Sequence, residues 1–223
     1  MTLYLSRLRL SRTASAKALD AILNPAEPGL RLDAHHRLLW AAFADSPDRR
    51  RDFLWREERG GEFLTLSARP PAPSDLFEAA EVKDFAPRLG TGDRLAFALR
   101  ANATRDRKDV GRVDVVMDAL HAVPKGTRAP ERAALAQREG AAWLTRQGET
   151  TGFRLIGVEV GDYSVAALPG YRGKRMGQPQ FGILDMTGTL EVTDPAAFLA
   201  RLAQGFGRAK AFGCGLMLIR RAG

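Results

Sequence analysis

Two stretches of this sequence hold side chains able to do chemistry on a phosphate. The first is His35-His36. An imidazole titrates near neutrality, so either histidine could accept or donate a proton. The second is Gln204 to Met217, "QGFGRAKAFGCGLM", where four glycines (Gly205, Gly207, Gly213 and Gly215) surround Arg208 and Lys210 with no acid nearby. Backbone N–H groups at glycines approach phosphates closely, and the two cations neutralise them. A third basic cluster, Arg172, Lys174 and Arg175, lies in "PGYRGKRMGQP".

The type of phosphate follows from context. A Walker loop needs GxxxxGK[ST] between a strand and a helix, and a dinucleotide turn needs GxGxxG in the same order. Here the glycines follow a helical pattern and precede a strand, and no GK[ST] exists. Mononucleotide binding is disfavoured, and a nucleic-acid backbone fits better. One glycine, Gly205 or Gly207, is expected to cap the helix in a left-handed conformation. The charge agrees: the net charge is +8, and residues 163–223 hold eight basic side chains against Asp185, Glu191 and Asp194. A basic face of that kind suits an anionic partner.

Other chemistries are excluded or weakened. Cys214 is the single cysteine and His35, His36 and His121 are the three histidines. No disulfide within the chain, cysteine-based zinc site or HExxH spacing is possible, so no metal or other cofactor is expected. Cys214 reads as a small buried residue and Trp143 as core. No apolar run approaches the roughly 20 residues of a membrane span. "MTLYLSRLRL" alternates too strictly for a signal peptide, which points to the cytoplasm.

These residues need a scaffold. With 223 residues and 45% hydrophobic content, the chain can build a packed core. "LYLSRLRL" alternates as a strand, and "LDAHHRLLWAAFA" reads as an amphipathic helix capped by Asp33 with Leu32, Leu39, Trp40 and Phe43 on one face. That start makes His36 the third helical residue, where the positive helix end favours the neutral imidazole and a base role. "RDFLWREE" and "EFLTLSAR" flank the hairpin turn Arg59-Gly60-Gly61. "PSDLFEAAE" looks like a short helix and "DRLAFALRANA" like a strand. The second half offers a strand or loop at "VGRVDVVM", a helix over 130–147, strands at "FRLIGVEVGDY" and "FGILDMTGTLEV", a helix with Asp194 as N-cap and Pro195 at its first position, and the strand "CGLMLIRR". The expectation is an α+β fold of two tandem ferredoxin-like (RRM-like, βαββαβ) domains, residues 1–104 and 105–223.

Five segments carry a resemblance. "GFGRAKAFGCGLMLI" resembles the C-terminal glycine-rich signature of CRISPR repeat-processing endoribonucleases. "MTLYLSRLRL", "HHRLLWAAFADSPDRRRDFLWREE", "LAFALRANATR" and "AAWLTRQGETTGFRL" resemble, in order, segments of the CasE-type members of type I-E systems. The resemblance implies an enzyme that binds the repeat hairpin of CRISPR precursor RNA. It implies one cut at the 3′ base of the stem, without metal, by attack of a ribose 2′-OH, leaving a cyclic 2′,3′-phosphate and a 5′-OH. The enzyme would then stay on its RNA as a subunit of the Cascade complex, beside the backbone subunit next to the 3′ hairpin.

The resemblance also assigns roles. His36 matches the catalytic histidine, with His35 and Arg37 as neighbouring RNA contacts. Arg172, Lys174 and Arg175 match a basic hairpin that lies along the RNA stem. Arg100, Asn102 and Arg105 leave the "LRANATR" strand where the stem could bind, and Gly205, Gly207, Arg208, Lys210, Gly213 and Gly215 form the phosphate loop. One position departs: the family's tyrosine three residues before the histidine is Asp33 here. An aspartate cannot stabilise a negative phosphorane, so Arg37, Tyr4 or Lys210 substitutes, or cleavage is slow. Two alternatives stand beside the enzyme: a non-catalytic hairpin-binding Cascade subunit, and a general RNA-binding protein with two RRM-like domains, for which the aromatic RNP pattern is missing.

Overall fold

The computed structural model describes residues 2–13, 20–44, 51–58, 61–167 and 180–222. The chain divides into two compact units, residues 1–87, 166–180 and 210–213, and residues 88–165, 181–209 and 214–223.

In the first unit, strand β1 (Tyr4–Arg9) is followed by a single helical turn, Asp20–Leu23, and helix α1 (Pro28–Phe43). Strands β2 (Phe53–Glu57), β3 (Glu62–Ser67) and β4 (Glu81–Asp84) follow. The sheet order is β2-β3-β1-β4, with every neighbouring pair antiparallel. Helix α1 begins earlier than its apolar stripe predicts. Glu27 is the N-cap, accepting from the N–H groups of Gly29 (2.9 Å) and Leu30 (2.7 Å), with Pro28 in the first turn. Asp33 is therefore inside the helix and not its cap. Leu8, Leu39, Phe43, Phe53, Trp55 and Phe63 form the core between α1 and the sheet.

"PSDLFEAAE" is not a helix. Phe77 forms an antiparallel bridge with Leu10, and the N–H of Glu78 donates to the Arg9 carbonyl (2.9 Å), so this segment runs along the sheet edge into β4.

In the second unit, β5 (Arg94–Ala101) is followed by an inserted strand pair, β6 (Thr104–Arg107) and β7 (Gly111–Asp114). Then come α2 (Val115–His121), α3 (Arg128–Thr151), β8 (Phe153–Ala167), β9 (Gln180–Val192), α4 (Pro195–Gln204) and β10 (Met217–Arg221). The main sheet is ordered β10-β5-β9-β8. Without the insertion this is βαββαβ with the strand order of the first sheet; the first unit keeps that order with an extended segment in place of the second helix, so both units are ferredoxin-like. The division differs from the expected join at 104/105. β5 pairs with β9 and β10 and opens the second unit, and the fourth strand of the first sheet is the short, charged β4.

Local signals explain most of this unit. Asp194 caps α4 by accepting from Ala196 and Ala197, both at 3.0 Å. Gly152 ends α3 in the left-handed region at φ 81°. Leu135, Ala136, Gly140, Trp143 and Leu144 face inward from α3, and Trp143 is core. No helix among the described residues is long and apolar enough to cross a membrane.

Candidate functional site

His36 sits on α1 about two turns from its N-terminus. The helix end is too far away to set its charge, which removes the basis for the expected dipole effect. Other causes act in the same direction. Burial holds the imidazole below its ordinary pKa, the nearby Arg51 and Arg37 cations lower it further, and Asp33 opposes them. The indole Nε1–H of Trp40, one turn on, donates to His36 Nε2 at 2.9 Å. That bond exists only while Nε2 is unprotonated, so the neutral tautomer carries its proton on Nδ1. At pH 7 the imidazole is neutral, and its one basic nitrogen, Nε2, accepts a substrate proton once the indole N–H gives it up.

The surroundings come from two stretches far apart in sequence. The 3₁₀ turn Lys210–Phe212 packs on α1 within the first unit, and the Phe212 ring lies 5.8 Å from the His36 ring. The turn is pinned by Trp55, whose Nε1–H donates to the Ala211 carbonyl at 3.2 Å. Gly213 follows at φ 75°, and a Cβ there would stand 3.2 Å from the Trp55 ring. The middle of the glycine loop, including Lys210, is thus built onto the unit that carries His36. Asp33, at the position where the resemblance implies a tyrosine, pairs with exposed Arg37. Trp40, Arg51 and Phe212 were not among the expected site residues. Trp40 was legible as the i+4 neighbour of His36, whereas nothing local in the sequence marks Arg51 or Phe212.

His35 is a core residue. It is fully buried, edge-on to Phe63 at 4.9 Å, with Nδ1 3.5 Å from the Glu57 carboxylate. It cannot touch a phosphate without leaving the core, contrary to the expected contact. The 100° that separates consecutive helical residues puts one histidine inside and the other at the rim.

The ends of the loop belong to the second unit. Gly205 (φ 76°) closes α4, its N–H donating to the Arg201 carbonyl at 2.8 Å. Phe206 donates to Gly215 at 2.9 Å, and Gly215 (φ 96°) donates to Arg100 at 2.7 Å. Gly207 (φ 67°) presses on the end of β5, where a Cβ would stand 2.5 Å from the Asn102 carbonyl oxygen. Arg208 follows, exposed, with its N–H donating to that same carbonyl at 3.1 Å. Cys214 is buried and its thiol is pushed up to about 12 by desolvation, so it is no nucleophile at neutral pH.

Three expected RNA contacts are held by internal partners. Arg100 makes a two-point pair with Asp185, both bonds 2.9 Å. Asn102 is buried and its amide donates to the Gly182 carbonyl at 2.8 Å. Arg105 engages Asp118 (2.8 Å from Nε) and Glu139 (3.3 Å). These groups hold the second unit together, so Asn102 is not an RNA contact, and Arg100 and Arg105 reach RNA only by giving up carboxylates. Arg172, Lys174 and Arg175 lie outside the described residues.

Comparison with known proteins fits this geometry. The family described as "CRISPR associated protein" matches residues 3–221. The chain is 33% identical to the CRISPR-associated endoribonuclease Cse3 of Thermus thermophilus over 89% of its length and 96% of the relative's. It is 28% identical to the CRISPR system Cascade subunit CasE of Escherichia coli, covering 82% of this chain and 88% of that one. Among solved structures, Cse3 bound to a 19-nucleotide RNA superposes with TM-score 0.70 at 25% identity, covering 99% and 100% of the two chains. Thermus thermophilus Cse3 bound to an RNA representing a pre-cleavage complex gives TM-score 0.67 at 26% identity, covering 99% and 100%.

Proposed function

Because the chain belongs to the CRISPR-associated protein family, as a member of the CasE (Cse3) type, we propose that it is the endoribonuclease that processes CRISPR repeat RNA and stays with the product as a Cascade subunit. It binds the repeat hairpin and cuts at the 3′ base of the stem. His36 accepts the proton of the attacking ribose 2′-OH, and the products are a cyclic 2′,3′-phosphate and a 5′-OH. The observation that carries this reading is the state of His36: half-buried, held neutral by burial and by neighbouring cations, with the Lys210–Phe212 turn beside it in the same unit.

The remaining parts are assigned by chemistry. Lys210 is the cation best placed in sequence and unit to meet the developing negative charge, a part that Asp33 cannot take. Exposed Arg37 and Arg208, with Arg172, Lys174 and Arg175, bind backbone phosphates, which position the RNA without reading its sequence. An A-form major groove is too deep and narrow for extensive base readout. No step needs a metal ion.

A hairpin-binding subunit without catalysis is the second reading, favoured by Asp33 at the tyrosine position. The test is incubation of the protein with its own repeat RNA in EDTA. The proposal expects one cut, a cyclic phosphate terminus, and no cut when the nucleotide before the scissile bond is 2′-deoxy. Tight binding without any cut selects the second reading.

A further inference from the structure

The strand pair β6–β7 is an insertion between β5 and α2, where the βαββαβ plan needs only a connection. Register places Arg105 opposite Val113, Asp106 opposite Arg112, and Arg107 opposite Gly111. The two faces are used differently. Arg105 and Arg107 both bind Asp118 of α2, Arg105 through Nε at 2.8 Å and Arg107 at 2.5 Å, and the Asp118 side chain is only 4% exposed. This face anchors the hairpin on the helical layer.

The other face is open. Arg112 and Asp106 form a two-point pair, 2.9 and 3.2 Å, with side chains 47% and 73% exposed. Arg208 arrives at the base of the same hairpin through its backbone bridge to Asn102, and its cation acts on the Asp106 carboxylate together with that of Arg112. Lys108 is exposed at the tip, where Asp109 (φ 66°) and Gly111 (φ 84°) reverse the chain. Three exposed cations therefore lie at the hairpin with two exposed acids, Asp106 and Asp109. A solvated ion pair contributes little, so Asp106 is a weak partner, while arginine prefers the stronger two-point bond to phosphate.

We propose that β6–β7 is an RNA-binding hairpin in its own right, in which Arg112 and Lys108, together with Arg208 of the glycine loop, bind backbone phosphates of the repeat RNA. Asp106 stands in for a phosphate in the free protein and keeps Arg112 extended. This rests on the repeat-RNA reading above and adds Arg112 and Lys108 to its surface. The hairpin contributes affinity and register, not sequence choice.

The test is fluorescence anisotropy of labelled repeat hairpin RNA across a salt series. Removing one cation from a phosphate lowers the slope of log affinity against log salt by about 0.9 and costs roughly eightfold in affinity at 0.1 M salt. Arg112→Ala and Lys108→Ala should each show that loss, and the double variant their product. Asp106→Asn should bind more tightly than the parent at low salt, because a competing anion is gone. Arg154→Ala is the charge-count control: it removes an exposed cation paired with Glu191 (2.9 Å) on β8 and should leave affinity and slope alone. A double variant with parental affinity and slope overturns the proposal, as does an Arg154→Ala loss of equal size. A parent that does not prefer the hairpin to its unpaired scramble refutes the repeat-RNA reading itself, a separate outcome.

Discussion

Replacing Trp40 by Phe tests one contribution to the neutral state of His36, beside burial and the Arg51 cation. The indole donates to His36 Nε2 at 2.9 Å, and its ring packs edge-on to Phe53 at 5.5 Å. Phenylalanine keeps an aromatic ring against Phe53 and removes the N–H donor along with one ring of the indole. An N–H can bond the unprotonated nitrogen and not the protonated one, so the bond depresses the pKa and its loss raises it. A neutral hydrogen bond contributes about 0.5–1.5 kcal/mol net. At 1.36 kcal/mol per pKa unit, His36 should rise by about 0.4–1.1 units. The sign carries into catalysis. The bond occupies the nitrogen a base must use, so at a pH below both pKa values, where both proteins start from the protonated ring, they should cleave alike. Well above both values Trp40→Phe should cleave roughly 2- to 13-fold faster, by the same conversion, because its Nε2 is free. NMR titration of the histidine ring protons, assigned with His36→Ala, gives the pKa directly, and single-turnover cleavage at subsaturating enzyme gives the free-enzyme rate profile. An unchanged or lowered His36 pKa in Trp40→Phe would refute the reasoning.

The other expectations are shorter. Arg51→Gln removes a cation that lowers His36 and should raise its pKa, while Asp33→Asn removes the opposing acid and should lower it; the same NMR titration reads both. Because the depressed His36 pKa favours the neutral form, its contribution to stability is present above the unfolded value of about 6.5 and is lost as pH falls through the folded value, which urea unfolding at stepped pH would follow. Gly213→Val forces a β-branched residue to φ 75° against the Trp55 ring and should cost about 1–3 kcal/mol in the same measurement. Replacing Arg172, Lys174 and Arg175 together by Ala should weaken hairpin binding and flatten its salt dependence, measured by anisotropy.

The fold was legible where the signal is local. Alternation in β1, β3 and β5 and the Asp194-Pro195 start of α4 are properties of a few neighbouring residues. Most misreadings come from partners distant in sequence. Sheet membership of β5 is set by β10, more than a hundred residues later. β4 reads Glu-Val-Lys-Asp, without the apolar alternation that marks a strand, because it is an exposed edge. The start of α1 depends on a Glu27 side chain reaching forward, and the apolar stripe carries no trace of it. Asp33 looked like a cap because aspartate often is one.

The candidate site was half legible for the same reason. The histidine pair and the glycine loop stand out by composition. Which histidine is buried depends on the helix register against the sheet, and that placed His35 in the core. Arg100, Asn102 and Arg105 looked available for RNA because Asp185, Gly182 and Asp118 are far along the chain or on another element. The hairpin that offers Arg112 was read as the charged join between domains. The RNA-binding role we propose for it rests on Arg105 and Arg107 being engaged by Asp118 on the opposite face.

The most direct test of the catalytic claim separates binding from cleavage in His36→Ala. Labelled repeat hairpin RNA is titrated with parent and variant, and single-turnover cleavage is followed at saturating protein. The account predicts parental affinity with cleavage slowed roughly 10²–10⁴-fold, the range for loss of a general acid–base group. Cleavage by His36→Ala at the parental rate would contradict it.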